Sequence, residues 1–269
     1  MEQTPPAPSP TTGSPASSGA GKYDTAPGVI AVPREAIPPL PDDISARPEA
    51  GRLDPRGWFA EPARPLELEI GCGKGTFILG EARARPDTNF LGIEWEGEYF
   101  AYTADRLRRA GVRNARMLLA DATEFLRWRV PNGTFSVIHL YFSDPWPKAR
   151  HHKNRVIQHR FLAEAWRTLT PGGELRVVTD HDELWAWDEE RFAVWTDADR
   201  YAAWRAAGSP DHVGRVPNEV LPGVACPFER HAFAAIERLG EGAVVGTNYE
   251  RKKCLERPPH ACTLRKVTR

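Results

Sequence analysis

Two short runs in this 269-residue chain bring together residue types that can do chemistry. In Glu69-Ile-Gly-Cys-Gly-Lys-Gly75 a carboxylate stands just ahead of three glycines at alternate positions. That is the composition of a loop whose backbone N–H groups close on a small ligand. In Asp144-Pro-Trp-Pro-Lys148 a second carboxylate and an indole sit on a segment that Pro145 and Pro147 keep out of regular helix or strand. Directly behind it, residues 146–160 hold Lys148, Arg150, Lys153, Arg155 and Arg160 with His151, His152 and His159, and no acid. Such a run is either a solvated loop ahead of a basic helix or a local patch for a polyanion.

The glycine loop narrows the ligand by its spacing. A P-loop needs glycine where Leu68 stands and Ser or Thr where Gly75 stands, and a dinucleotide fingerprint closes on G-x-x-G rather than on Gly73-Lys74-Gly75. An acid at Glu69 suits a ligand carrying an ammonium or sulfonium group better than one carrying a pyrophosphate. That points to S-adenosylmethionine, cradled by Gly71, Gly73 and Gly75. Glu94 ends the next strand, 19 residues after Gly75, where a carboxylate can accept from a ribose diol. Asp121-Ala122 ends the third strand and faces the adenine edge, or caps the helix that follows; aspartate suits both roles.

An alternation of strands and helices positions these residues. Strands are expected at 66–70, 89–94, 115–120, 135–142 and 174–179, with helices at 76–84, 99–110, 124–129 and 155–169 between them. This spacing argues for an α/β domain, Rossmann-like and doubly wound, its sheet mostly parallel and covered on both faces. Each carboxylate named above then falls at the carboxyl end of a strand, where open α/β sheets bind ligands. Past Asp180 the pattern loosens into a Trp-rich helical stretch, a Pro/Gly loop, and closing strands at 244–251 and 261–267.

The totals bound the rest. Hydrophobic residues make up 41% and charged residues 27%, and 36 basic residues balance 36 acidic ones, so any nucleic-acid site must be local. Residues 1–48 carry 11 of the 25 prolines and few aromatics, which reads as a disordered tail ahead of a single domain at 49–269 with an insertion near 185–243. Residues 53–59, with Trp58, are expected to lie on the domain's edge as a lid. Four cysteines without a C-x-x-C pair fit a reduced, cytoplasmic protein. Cys254, His260 and Cys262 lack a fourth ligand, so no metal is expected. Neither a signal peptide nor a membrane span is expected.

In order, Glu69 to Gly75, Gly92-Ile-Glu94, Asp121-Ala, Asp144-Pro-Trp-Pro-Lys148, His151-His-Lys153, Thr179-Asp180 and Thr247-Asn-Tyr-Glu250 resemble the motifs of the tRNA (guanine-N7-)-methyltransferases. The resemblance covers about 66–181 and 244–253. It implies a class I methyltransferase fold and transfer of a methyl group from S-adenosylmethionine to N7 of guanine 46 in the variable loop of tRNA. By the same resemblance Glu69, Glu94, Asp121 and Asp144 would line the cofactor site, with Asp144 the catalytic residue. Lys148, Asp180, Thr247, Asn248, Tyr249 and Glu250 would bind the substrate. The run Arg150, His151, His152, Lys153 and Arg155 would face RNA. The chain departs from the family pattern at Ser143 and Asn154 and in a longer stretch between Asp180 and Thr247.

Two other classes compete. A nicotinamide-dependent oxidoreductase would want a different glycine spacing and a His or Tyr proton donor in a recognised setting. A non-catalytic RNA-binding protein on a methyltransferase shell would have lost some of the motif acids, and all of them are present.

Overall fold

The computed structural model describes residues 22–235, 244–247, 250 and 258–268. Among these residues seven strands form one sheet in the order β3-β2-β1-β4-β5-β7-β6. The strands are β1 (Leu66–Ile70), β2 (Asn89–Glu94), β3 (Ala115–Leu119), β4 (Phe135–Tyr141), β5 (Leu169–Thr179), β6 (Phe228–Ala232) and β7 (His260–Lys266). The first five run parallel, and β7 enters antiparallel between β5 and β6. This is the doubly wound sheet of the class I methyltransferase type that the sequence led us to expect. Chain direction through the sheet reverses between β1 and β4, and the carboxyl ends of those two strands flank the crevice that forms at such a reversal.

Both faces of the sheet are covered, so every residue of β1 and β2 is buried. Leu66, Leu68 and Ile70 join one core with α3 (Ala122–Arg129), α4 (His159–Thr168) and α5 (Asp182–Trp195). On the other face α1 (Thr76–Ala84) and α2 (Gly97–Arg109) bury Ile78, Leu79, Ala104 and Leu107 against Phe90, Ala115 and Met117. The polar half of the β1 alternation, Glu67 and Glu69, therefore points into protein rather than into water. The stretch expected as an insertion supplies most of α5, the helix α6 (Ala198–Ala206) and β6.

The tail reading needs correction for residues 22–48. Val32 N–H donates to Met117 O and Met117 N–H to Ile30 O, both at 2.8 Å, so this segment caps the free edge of β3. Ile30 is 1% exposed against Phe90 and Met117. Val32 and Ile37 pack on the main core, and Arg129 donates to Pro38 O, so scattered contacts order a segment poor in apolar residues. Further along, the 53–59 lid lies where it was expected: Phe59 is buried under the Arg116 guanidinium, which donates to Trp58 O at 2.8 Å.

Of the strand expected at 244–251, residues 244–247 are irregular, and 248, 249 and 251 lie outside the described residues. The strand beside β7 is β6 at 228–232. Among the described residues no helix is long and apolar enough to cross a membrane.

If the N-terminal segment is part of the folded unit, Ile30→Ala should cost about 2–5 kcal/mol in urea unfolding, the range for emptying a buried isoleucine site. Removing residues 1–48 should lower the melting temperature. Unchanged midpoints for both would return 22–48 to the status of a tail.

Candidate active site

The loop between β1 and α1 is built from three left-handed glycines, Gly71 (φ 75°), Gly73 (φ 50°) and Gly75 (φ 64°), a conformation that glycine alone adopts freely. A side chain at Gly75 would strike Thr103, whereas the space beside Gly71 and Gly73 is open. Thr103 Oγ1 donates to Gly73 O at 2.7 Å and Arg106 Nη1 to Lys74 O at 2.7 Å, so α2 grips the loop from below. Neither residue stood out in the sequence.

Glu94 closes the same loop. Its Oε2 accepts from Gly73 N–H at 2.8 Å and its Oε1 from Glu96 N–H at 3.0 Å. A carboxylate has lone pairs left for a diol after two such bonds. At the end of β3, Asp121 Oδ1 accepts from Thr123 N–H (2.8 Å), Thr123 Oγ1 (2.6 Å) and Glu124 N–H (3.2 Å), the N-cap of α3. Ala122 opens that helix. Around these two strand ends lie exposed apolar side chains that the sequence reading passed over: Trp95 is 71% exposed, with Tyr99 and Leu119 also open to solvent. Trp95, directly after Glu94, was the available signal.

The two acids of β1 have opposite fates. Burial alone would raise Glu67, but hydrogen bonds from His139 and Arg85 bring it down to about 2. Arg85 meets it with two N–H groups at 2.6 Å, and His139 Nε2 lies 2.9 Å from Oε2. An ionised Glu67 can only accept, so His139 carries its proton on Nε2 and takes one at Nδ1 from the Tyr141 hydroxyl (2.7 Å). His139 stays neutral, since burial lowers its pKa. Glu69 is only half satisfied: Cys72 and the Ile78 N–H reach its carboxyl, but burial outweighs them. It is 5% exposed, its Oε2 has no hydrogen-bond partner, and burial, with Glu94 nearby, pushes its pKa up to about 8. A buried carboxyl left short of a partner beside an open glycine loop is what a ligand with a cationic centre requires. S-adenosylmethionine fits this chain by that test: Glu69, Gly71, Gly73 and Glu94 would hold it.

Beyond β4 the backbone is strained. Phe142 (φ 54°) and Trp146 (φ 44°) are both left-handed, an outlier for bulky residues that costs on the order of 1–3 kcal/mol each. Pro147 makes it worse, because a residue before proline is confined to extended conformations. Asp144 is exposed between these two positions. Trp146 stacks on His151, with ring centroids 5.8 Å apart and planes at 7°, and Arg150 Nε donates to His151 Nε2 at 2.9 Å. Asp180 stands at the end of the neighbouring strand, β5.

The basic run divides into two parts. Lys148, Arg150 and Lys153 are exposed. Arg155, expected on the RNA-facing side, is instead buried, and His152 lies edge-on to Trp187 at 5.3 Å. The expectation for Arg155 is corrected by the turn at 149–154, which rolls its side chain inward, while His152 stays half-buried. The loop at 244–247 reaches the same region, with Val245 buried against Phe77, Tyr141 and Val178. Glu250 turns its carboxylate to the N–H groups of Val244, Val245 (3.1 Å) and Gly246 (2.5 Å), and Thr247 Oγ1 accepts from Glu250 N–H at 3.1 Å. Glu250 thus shapes this loop rather than presenting a free acid to substrate. Asn248 and Tyr249 lie outside the described residues. Likewise His260, considered beside Cys262 as a metal ligand, is engaged by Asp182 at 2.7 Å and stacked on Trp185.

Residues 63–205 match a family described as putative methyltransferase. A tRNA (guanine-N(7)-)-methyltransferase of Rhodopseudomonas palustris is 43% identical over 129 residues, 48% of each chain. One from Geobacter metallireducens is 37% identical over 145 residues, 53% of this chain and 65% of its own. One from Sodalis glossinidius is 34% identical over 205 residues, 76% of this chain and 78% of its own. The chain thus spans about half to two thirds of the length of the first two relatives.

The half-satisfied, buried carboxyl of Glu69 should show in stability. Its folded pKa lies above the ordinary glutamate value of 4.5, so the folded state holds the proton longer. Stability is then greatest below that value and is lost as pH climbs toward 8. Glu69→Gln should flatten this part of the profile and make the ligand-free protein more stable than wild type at pH 8. Denaturant titrations at pH 5 and pH 8 that show the same slope for both proteins would contradict it.

Proposed function

The chain belongs to the tRNA (guanine-N(7)-)-methyltransferase family, and from that premise we propose that it transfers a methyl group from S-adenosyl-L-methionine to N7 of guanine 46 in the variable loop of tRNA. The observation that carries this reading is the strained turn bearing Asp144, set beside the glycine loop at the reversal between β1 and β4. A cytoplasmic address, with tRNA as partner, belongs to the same reading.

When bound, S-adenosylmethionine supplies an electrophilic methyl group on a sulfonium. Glu69, with the open space beside Gly71 and Gly73, would hold its charged end, Glu94 its ribose, and the Asp121-Ala122 corner with Trp95 and Leu119 its base. Guanine N7 is an in-plane lone pair without a proton, so these residues need not remove one. Their work is alignment of the attacking nitrogen with the methyl carbon. Asp144, exposed on its turn, would accept from guanine N1–H and the 2-amino group, which fixes the base and favours the positive charge that grows on the ring. Lys148, Arg150 and Lys153 form an exposed cationic strip on the same turn, suited to phosphates. Asp180 and Thr247 complete the substrate side.

An aspartate that orients differs from one that takes a proton. On an unmodified tRNA transcript at saturating S-adenosylmethionine, single-turnover transfer by the wild type should be level between pH 6 and 8. Asp144→Asn presents donors to the guanine's own donors and should lower the rate by about 10²-fold, with S-adenosylmethionine affinity by calorimetry little changed. Rescue of the Asn variant by added buffer base would show general-base chemistry instead. A wild type that transfers no methyl to tRNA would end the reading.

A further inference from the structure

The strained turn needs something to hold it, and one side chain reaches both of the peptide units that define Trp146. Arg155 Nε donates to Pro145 O at 2.9 Å and Nη2 lies 3.5 Å from Trp146 O. These carbonyls belong to the peptide planes on either side of the Trp146 Cα, so fixing both restrains its φ and ψ together. The same Nη2 donates to Glu183 Oε1 at 2.6 Å, at the start of α5. The guanidinium lies 5.0 Å from the centre of the Trp187 ring, one turn further along that helix. Trp187 is itself anchored, its Nε1 donating to Ile157 O at 2.8 Å. With a side chain 1% exposed, Arg155 has no face left for a phosphate.

We propose that Arg155 is a positioning residue for methyl transfer: it clamps the carbonyls flanking Trp146, anchored by Glu183 and Trp187 of α5, and so sets where Asp144 stands. This deepens the methyltransferase reading and rests on it. The planar fork matters because one group must meet two carbonyls and a carboxylate at fixed angles while lying over an indole. A lysine supplies the charge without that geometry. The inference also gives the first half of α5 a task, since it provides the wall against which the catalytic turn is built.

The test compares wild type, Arg155→Lys, Glu183→Gln and Lys153→Gln. Three quantities are measured: single-turnover methyl transfer to a tRNA transcript, tRNA affinity at two salt concentrations, and amide hydrogen exchange of the ligand-free protein over residues 142–151. Arg155→Lys should slow transfer by about 10²-fold, the scale of an ångström-sized misplacement. Its tRNA affinity and salt slope should stay within about twofold of wild type, and exchange in the turn should quicken. Glu183→Gln, at a half-exposed position, should move rate and exchange in the same direction by a smaller factor. Lys153→Gln should do the reverse, weakening tRNA binding and flattening the salt slope while exchange in the turn stays put. A lysine variant with wild-type rate and exchange overturns the proposal, and so does one whose loss lies in tRNA affinity. If the wild type itself methylates no tRNA, the enzymatic reading fails, and the exchange data alone still decide whether Arg155 holds the turn.

Discussion

A tryptophan between two prolines, held left-handed at φ 44°, is a shape that no isolated loop would keep. The rest of the site depends on that shape being imposed. Its supports come from three directions: Arg155 on the flanking carbonyls, His151 stacked on the indole, and α5 behind Arg155. Phe142, left-handed at the other end of the turn, is tied to β5 through Val178 O at 2.7 Å. Asp144 is thus carried on backbone that is distorted at both ends and fastened to the sheet at one of them. The carboxylate is exposed, but its place is not free to wander.

The other half of the site follows from an asymmetry on β1. Glu67 and Glu69 point to the same face two residues apart, and both are buried. Arg85 and His139 reach Glu67 and leave it ionised within a closed network of hydrogen bonds. Nothing comparable reaches the Oε2 of Glu69. One acid fastens the sheet; its neighbour stands beside the glycine loop with capacity to spare. Unsatisfied burial is costly in a free protein, and a cationic ligand is the natural way to offset it.

Much of this was legible beforehand because it rests on local rules. The glycines marked a break after the first strand where a loop could close on a ligand, strand periodicity located all five parallel strands, and the prolines of 144–148 marked an irregular turn. What was not legible depended on side-chain direction. Arg155 sits in the same basic run as Lys153, and no letter code reveals that the turn at 149–154 sends one outward and the other inward. Residues 22–48 looked disordered because composition counts apolar side chains, whereas this segment is held by backbone pairing to Met117 and a few long-range contacts of Ile30, Val32, Ile37 and Pro38. Val244-Val245 looked like a strand by its β-branched residues, but the Glu250 carboxylate takes the N–H groups that a ladder would need. In each case a long-range partner overrode the local preference.

In the function proposed for this chain, these arrangements serve one chemical outcome, a methyl group placed on a ring nitrogen of guanine in tRNA. The most direct measurement incubates an unmodified tRNA transcript with the protein and S-adenosylmethionine carrying a deuterated methyl group, then maps the label by mass spectrometry of nucleosides and nuclease fragments. The expected product is deuterated N7-methylguanosine at guanine 46, with no label in a transcript that has adenine at that position. Label on another base or another atom of guanine, or no label in any tRNA, would contradict it.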